Sequence, residues 1–315
     1  MGSPAVQNSN HFEEQGPAVR SRVAVILNAG SGGVISRGLE ADAVRRLFTE
    51  AGLEADVHIV PGDQLTAVTR SALDSGVEAV VAGGGDGTIR TVASLLADGE
   101  VPLGVLPVGT LNHFARDLNI PVELPEAARL IATGTPRALD LGEVNGEIFI
   151  NNSMLGLYPP MVGVRDRERR QKNRGKWMAT ISALLKVLPR HPLLHLKVSA
   201  EDVEIHRATR FVFIGNNEYE MNAFTYSARS RFDSGNLYLY IARSRGRLGL
   251  VGLGLLGLFR DLKWTDRFDR LSLPEFRIET HHKKAVPVYL DGEVLVLRPP
   301  LEYRNRPHAL RVIVP

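Results

Sequence analysis

Short apolar runs alternate with helical patterns between residues 23 and 106, and this alternation most restricts how the chain can fold. The apolar runs at 23–27, 55–60, 78–82 and 103–106 are short and mostly β-branched, which predicts buried strands. Apolar residues at helical spacing predict helices at 39–51, 63–73 and 88–97. Strands separated by helices of this length pair in parallel, so we predict an α/β domain with a parallel sheet.

From about residue 139 the pattern changes to short strand-like runs separated by turn residues. These runs lie at 139–141, 147–151, 194–198, 203–206, 211–215, 237–241, 277–280 and 286–290. Two helices are predicted among them, at 176–188 and 248–261. We therefore predict a disordered polar leader at 1–20, the α/β domain at 21–139 and a mostly antiparallel β-sandwich domain at 140–315.

The composition excludes several classes of protein. The 38 basic and 35 acidic residues nearly cancel, which argues against a nucleic-acid-binding protein. Cysteine is absent, so disulfides, zinc–thiolate sites and thiol nucleophiles are excluded, and a cytoplasmic location is expected. The longest apolar stretch, residues 248–259, is shorter than the roughly 20 residues that cross a bilayer.

One glycine-rich segment, Gly83-Gly84-Gly85-Asp86-Gly87-Thr88, follows the third predicted strand and opens a helix. Glycines allow backbone N–H groups to approach an anion closely, and a helix N-terminus adds a favourable positive potential. A carboxylate beside a phosphate is electrostatically unfavourable unless it has a partner. Asp86 would have one if it bound a magnesium ion, accepted a hydrogen bond from a ribose hydroxyl, or accepted a proton from the acceptor. The segment predicts a phosphate-binding loop, and the alternative is a tight turn in which Asp86 caps the helix.

Two further loops, at 28–33 and 107–112, follow the first and fourth predicted strands. Their small residues, hydroxyls and amides suit phosphate oxygens. Because the carboxyl ends of parallel strands share one sheet edge, we expect all three loops to meet there. The segments contain neither the Walker lysine pattern nor a G-x-G-x-x-G motif followed by an acidic residue, which excludes the common nucleotide-binding loops.

Together, NAGSGG at 28–33, GGDGT at 84–88, LPVGTLNHFARDLNIP at 106–121 and LDGE at 290–293 resemble the diacylglycerol kinase catalytic family. The chain is similar in particular to the bacterial soluble lipid kinases, which are related to sphingosine and ceramide kinases. The resemblance covers roughly residues 22–315. GGDGT by itself is shared with NAD kinases and phosphofructokinases, so the later motifs make the resemblance specific.

The resemblance implies ATP and Mg²⁺ as cofactors and transfer of the γ-phosphoryl group to a lipid hydroxyl. It implies Glu293 as the catalytic base, Asp86 as a second catalytic candidate, and Asp233 as a metal-binding residue. The implied nucleotide-binding residues belong to the three loops: Asn28, Ser31, Gly84, Gly85, Asp86, Gly87, Thr88, Gly109, Thr110 and Asn112. A hairpin turn at 291–293 is the structural alternative for the LDGE motif, and such a turn could itself present Glu293.

The chain departs from the family pattern at several positions. Arg90-Thr91 stands where the family usually has Asn-Glu, and His113 stands where it usually has Asp. Asp233-Ser234-Gly235 replaces the usual Asp-Gly, and His58 replaces a common Thr. These changes make the site more basic, and they bear on metal use and the acceptor more than on nucleotide binding.

Two alternatives to a lipid kinase remain open: a kinase of the same fold with a soluble acceptor, as in NAD kinase, and a non-catalytic nucleotide-binding protein. The segment 165–176 carries seven Lys or Arg residues against two acidic ones and precedes a predicted amphipathic helix. It is interpreted either as a solvated loop or as a surface that docks peripherally on anionic membrane lipid.

Overall fold

The computed structural model describes residues 21–162, 164, 193–201, 203–219, 229, 231–243, 268–281 and 283–315. The predicted leader, the predicted helices at 176–188 and 248–261, and the basic segment at 165–176 lie outside these residues. In the part of the chain that is described, no helix is long and apolar enough to cross a membrane.

The first part of the chain forms the predicted α/β domain. Its parallel strands are β1 (Arg22–Asn28), β2 (Glu54–Val60), β3 (Ala79–Gly83) and β4 (Leu103–Leu106), in the spatial order β2-β1-β3-β4. The helices are α1 (Gly32–Arg37), α2 (Ala41–Glu50), α3 (Leu65–Asp74), α4 (Asp86–Leu96), α5 (His113–Asp117) and α6 (Leu124–Thr133). All four predicted strands and the three predicted helices are confirmed.

Three of these six helices were not predicted. Helices α1 and α5 are only six and five residues long, too short for a helical period to be recognised. Helix α6 does carry a readable signal, because its buried residues Leu124, Ala127, Ala128 and Ile131 follow helical spacing and a proline stands in its first turn.

The second part forms the predicted antiparallel sandwich. Its strands are β5 (Thr135–Val144), β6 (Glu147–Phe149), β7 (Asn152–Gly156), β8 (Leu194–Ala200), β9 (Val203–Thr209), β10 (Phe211–Asn216), β11 (Leu237–Ala242), β12 (Phe268–Leu273), β13 (Glu275–Thr280), β14 (Val286–Leu290), β15 (Glu293–Leu297) and β16 (Leu301–Val314). One sheet has the order β12-β11-β10-β7-β14-β15. It packs on β5, β6, β8, β13 and β16 through a shared core that includes Phe149, Phe276 and Tyr303.

The last strand, β16, joins the two parts into one continuous sheet. Its first residues pair antiparallel with β13, and Val312 near its end pairs in parallel with Leu103 of β4. The strand was not predicted, because Pro307 and a register shift between Arg306 and Leu310 interrupt its alternation. Strand β5 runs unbroken through residue 140, and the division into domains there stays a prediction.

We predict that truncating Leu310 destabilises the α/β part. Leu310 of β16 is fully buried (0% exposed) in the core formed with Ile26, Ile89 and Leu103, so Leu310→Ala should lower the free energy of unfolding by about 2–5 kcal/mol in urea denaturation. Val296→Ala is the matched control, since Val296 is 68% exposed, and its effect should stay within about 0.5 kcal/mol. Equal effects would show that β16 is not part of this core.

Candidate active site

The three predicted loops line one cleft at the carboxyl ends of β1, β3 and β4. The start of α3 and the β14–β15 hairpin complete it. The cleft has a volume of about 540 Å³. Its lining residues are Asn28, Gly30, Ser31, Gly32, Gly62, Leu65, Gly85, Gly87, Thr88, Thr91, Gly109, Thr110, Gly292 and Glu293. Of the twelve residues that the resemblance implies as catalytic, nucleotide-binding or metal-binding, eight are among these, whereas Gly84, Asp86, Asn112 and Asp233 are not.

Asn28 holds the first loop against α4. Its Nδ2 donates to Thr88 Oγ1 at 3.0 Å, and its Oδ1 accepts from the Gly30 amide at 2.9 Å. Gly33 ties the same loop to the third one, because its amide donates to Val108 O at 3.0 Å. A Cβ atom at position 33 would lie 2.2 Å from that oxygen, so the contact requires glycine.

Asn112 shapes the third loop from within. It adopts a left-handed backbone conformation with φ of 51°, its Oδ1 accepts from the Gly109 amide at 2.8 Å, and its Nδ2 donates to Pro107 O at 3.1 Å. A Cβ atom at position 109 would lie 2.5 Å from Gly85 Cα, so glycine allows the second and third loops to touch. Asn112 therefore supports the cleft, while Gly109 and Thr110 line it.

The N-terminus of α4 opens onto the cleft. Gly85 is the N-cap residue, and Gly85, Gly87 and Thr88 all line the cleft. The first amides of a helix have no partner within the helix and carry partial positive charge, so this end of α4 favours an anion. A Cβ atom at position 85 would find no atom nearer than Gly109 Cα at 4.0 Å, which leaves open space beside this residue.

Asp86 caps α5 and not α4, the helix named in the alternative interpretation of its segment. No side chain caps α4. Instead, the Asp86 carboxylate accepts from the backbone amides of Phe114 at 3.1 Å and His113 at 3.4 Å, at the start of α5. Asp86 thus fastens the second loop to the segment that follows the third loop.

Glu293 enters the cleft from the β14–β15 hairpin. The hairpin of the alternative interpretation is confirmed, but Leu290 pairs with Glu293, so the turn contains only Asp291 and Gly292 and not residues 291–293. Both turn residues have positive φ, 44° and 113°. Glu293 faces α4, since a Cβ atom at position 87 would lie 3.5 Å from Glu293 Oε1. Its carboxylate forms an ion pair with Arg90 of α4, a contact that the sequence analysis did not anticipate.

Asp291 anchors the hairpin to the sandwich. Its buried carboxylate accepts from the backbone amides of Ile150 at 2.6 Å, Asn151 at 2.9 Å and Asn152 at 3.0 Å. Burial raises the pKa of Asp291 from 3.8 to about 6, and the three amides oppose this rise because they favour the carboxylate. The position of Glu293, two residues later, follows from this anchor.

Arg229 connects α5 to the same segment, and sequence reasoning missed it. Its Nε donates to Asp117 Oδ2 at 2.9 Å, Nη1 to Ile150 O at 2.7 Å and Nη2 to Asn151 Oδ1 at 2.8 Å. The guanidinium also lies 4.7 Å from the centre of the Phe232 ring. Burial raises the pKa of Asp117, and Arg229 opposes that rise.

Asp233 lies between two arginines. Its carboxylate is 3.1 Å from Arg137 Nη2 and 3.8 Å from Arg231 Nε. Across the residues that the structure describes, no group of three or more His, Asp or Glu side chains could hold a metal ion. Metal binding by Asp233 stays a prediction.

Comparisons with known proteins agree on one family. The model of the diacylglycerol kinase catalytic domain matches residues 22–144. "Probable lipid kinase YegS-like" of Pseudomonas aeruginosa is 34% identical over 273 residues, which are 84% of this chain and 86% of that protein. Diacylglycerol kinase of Bacillus subtilis is 41% identical over 135 residues, 41% of this chain and 44% of that protein. The crystal structure of a diacylglycerol kinase from Bacillus anthracis has the same fold, with a TM-score of 0.69, 23% identity and coverage of 95% of this chain and 99% of that one.

We predict that Asp291 makes stability depend on pH. Its folded pKa of about 6 exceeds the ordinary 3.8, so its contribution to stability is fully present below 3.8 and is lost as the pH rises through 6. The free energy of unfolding should therefore fall by about 2 kcal/mol from this group between about pH 4 and about pH 7.

Chemical denaturation of the wild type and of Asp291→Asn across this range measures the effect. The variant should lack this part of the pH dependence. Asp42→Asn is the control, since the Asp42 side chain is 77% exposed, and it should keep the wild-type slope. Identical slopes in all three proteins would contradict the assignment to Asp291.

Proposed function

Because this chain belongs to the diacylglycerol kinase catalytic family, we propose that it is an ATP- and Mg²⁺-dependent lipid kinase that transfers the γ-phosphoryl group of ATP to a lipid hydroxyl. The observation that carries the proposal is the cleft itself. It combines the N-terminus of α4, two further glycine-containing loops and the Glu293 carboxylate in one place.

The loops supply the groups that phosphates need. The start of α4 offers backbone amides with partial positive charge, and Ser31, Thr88 and Thr110 offer hydroxyls along the same cleft. Glycines at positions 30, 32, 85, 87 and 109 leave the backbone accessible to an anion. These features support ATP binding with its phosphates toward α4.

The residues present suit Mg²⁺ that arrives with ATP. Magnesium in phosphoryl-transfer sites is usually held by substrate phosphates and waters, with only one or two protein carboxylates. Asp86 at the start of α4 is the carboxylate that we propose for this contribution. When bound, Mg²⁺ neutralises charge on the phosphate oxygens.

Glu293 is the proposed general base. It lines the cleft, and its side chain is half exposed, so an acceptor hydroxyl can reach it. As the hydroxyl oxygen attacks the γ-phosphorus, the bond from that phosphorus to the bridging oxygen breaks and ADP leaves. The hydroxyl proton passes to Glu293, an effect typically worth about 10²–10⁴ in rate.

A screen with γ-labelled ATP tests the acceptor class. The acceptors are dispersed dioctanoylglycerol, monoacylglycerol and sphingosine, beside NAD and simple soluble alcohols. We expect labelled phosphate on a lipid hydroxyl. Labelling of NAD alone would favour the soluble-acceptor alternative, and ATP binding without turnover on any acceptor would contradict the proposed kinase activity.

Substitution of Gly85 should weaken ATP binding without disturbing the fold. Gly85 has φ of −82°, which valine can adopt, and the space beside its Cα atom is open. A valine side chain therefore fits without a clash in the protein, but it occupies space in the cleft that ATP would need. Gly85→Val should reduce ATP affinity by about tenfold or more, equivalent to about 1.4 kcal/mol, and Gly85→Ala by less. Calorimetric titration with Mg·ATP measures the affinity, and thermal unfolding checks the fold. Wild-type affinity in a folded Gly85→Val protein would contradict the assignment.

Glu293→Gln should separate chemistry from binding. Glutamine keeps the size and removes the basicity, so kcat should fall by about 10² or more with little change in the KM for ATP. Glu275→Gln on β13 is an exposed control that should keep wild-type rates. Asp86→Asn should change nucleotide affinity as well, because the Asp86 carboxylate holds α5 beside the third loop. A normal kcat for Glu293→Gln would rule out its role as base.

A further inference from the structure

Arg90 and Gly87 lie on the same face of α4, three residues apart, and this face is turned toward the β14–β15 hairpin. Glu293 lies against the helix at position 87, since a Cβ atom there would be 3.5 Å from Glu293 Oε1, an ordinary van der Waals distance. Arg90 Nη2 then contacts Glu293 Oε2 directly.

The two partners differ sharply in exposure. The Arg90 side chain is 9% exposed, whereas that of Glu293 is 50% exposed. Glu293 lines the cleft and Arg90 is not among the described residues that do so. Arg90 therefore contacts the Glu293 carboxylate from the interior of the protein. The side of the Glu293 carboxylate that faces the cleft stays accessible to a ligand.

The other contacts of the Arg90 guanidinium are weak. Nη1 lies 3.4 Å from Ile148 O and 4.0 Å from Glu147 Oε2, and Nε has no hydrogen-bond partner among the described residues. A buried guanidinium needs a closely paired anion, and Glu293 is the carboxylate in direct contact with it. The planar guanidinium also fixes the direction from which a carboxylate binds.

We propose that Arg90 is a positioning residue for catalysis, which orients the Glu293 carboxylate toward the acceptor hydroxyl. Asp291 fixes the hairpin backbone, but a half-exposed glutamate side chain still has several rotamers to choose from. The contact with Arg90 selects one of them. This inference rests on the proposed role of Glu293 as base, and it gives a function to a residue at which the chain departs from the family pattern.

A double-mutant cycle tests the inference, with the lipid acceptor that shows the highest turnover in the screen. Arg90→Met replaces the charge with an apolar chain that suits a buried position. It should lower kcat by about tenfold to a hundredfold with little change in the KM for ATP. In the Glu293→Gln background the same substitution should cause no further loss, because the group that it orients no longer acts as a base.

Two further variants complete the experiment. Arg90→Lys keeps a buried positive charge and should retain part of the wild-type kcat. If Arg90→Met does not fold, the same double-mutant cycle is measured with Arg90→Lys. Arg306→Met is the control. Arg306 does not line the cleft, and its Nη1 pairs with Glu143 Oε2 at 2.7 Å, so this substitution removes a paired arginine and should leave kcat unchanged. Thermal unfolding is measured for every variant.

Each result is decisive. An equal loss from Arg90→Met in both backgrounds, or a change confined to KM, would overturn the inference and indicate a structural role. If Arg90→Met had the wild-type kcat while Glu293→Gln had a reduced kcat, the inference about Arg90 would be overturned, and the proposed role of Glu293 as base would stand. Wild-type kcat in Glu293→Gln would overturn the proposed base, and the inference about Arg90 with it.

Discussion

The buried carboxylate of Asp291 is the contact on which the arrangement of the cleft depends. Its three hydrogen bonds from residues 150–152 satisfy amides that would otherwise be buried without partners, and they fix the turn between β14 and β15. The pairing of β14 with β7 holds the strand that leads into this turn, and the Asp291 carboxylate extends that attachment to the turn itself. Glu293 follows the turn directly, so the position of its backbone beside the cleft is set by the hydrogen bonds of the turn.

The same segment connects the hairpin to the phosphate-binding loops through a chain of polar contacts. Arg229 bonds residues 150 and 151 on one side and Asp117 at the end of α5 on the other. Asp86 at the start of α4 holds the opposite end of α5. A buried charge is stable only when it is paired and hydrogen-bonded, and the buried Arg229 and Asp117 are paired with each other. Asp86 accepts two backbone amides at the start of α5. The loops and the hairpin are therefore expected to keep a fixed separation.

Local sequence determined much of this protein. The strands β1–β4 and the helices α2, α3 and α4 could be predicted, since continuous apolar runs and helical spacing identify them directly. Parallel pairing then brings the three loops to one edge. A hairpin turn at 291–293 was the alternative interpretation of the LDGE motif, and the structure has this turn at Asp291-Gly292. Much of the candidate site thus follows from short segments and the topology that they impose.

Tertiary structure alone decided how these parts are joined. Strand β16 was missed because Pro307 and a register shift break its pattern, although β4 and β13 hold it in place. The contact between Arg90 and Glu293 joins residues 203 positions apart. Which charges are buried together depends on how the sandwich packs against α4, and no local pattern carries that information. The sequence by itself therefore specified the groups in the cleft, whereas the packing of distant strands determined which of them meet.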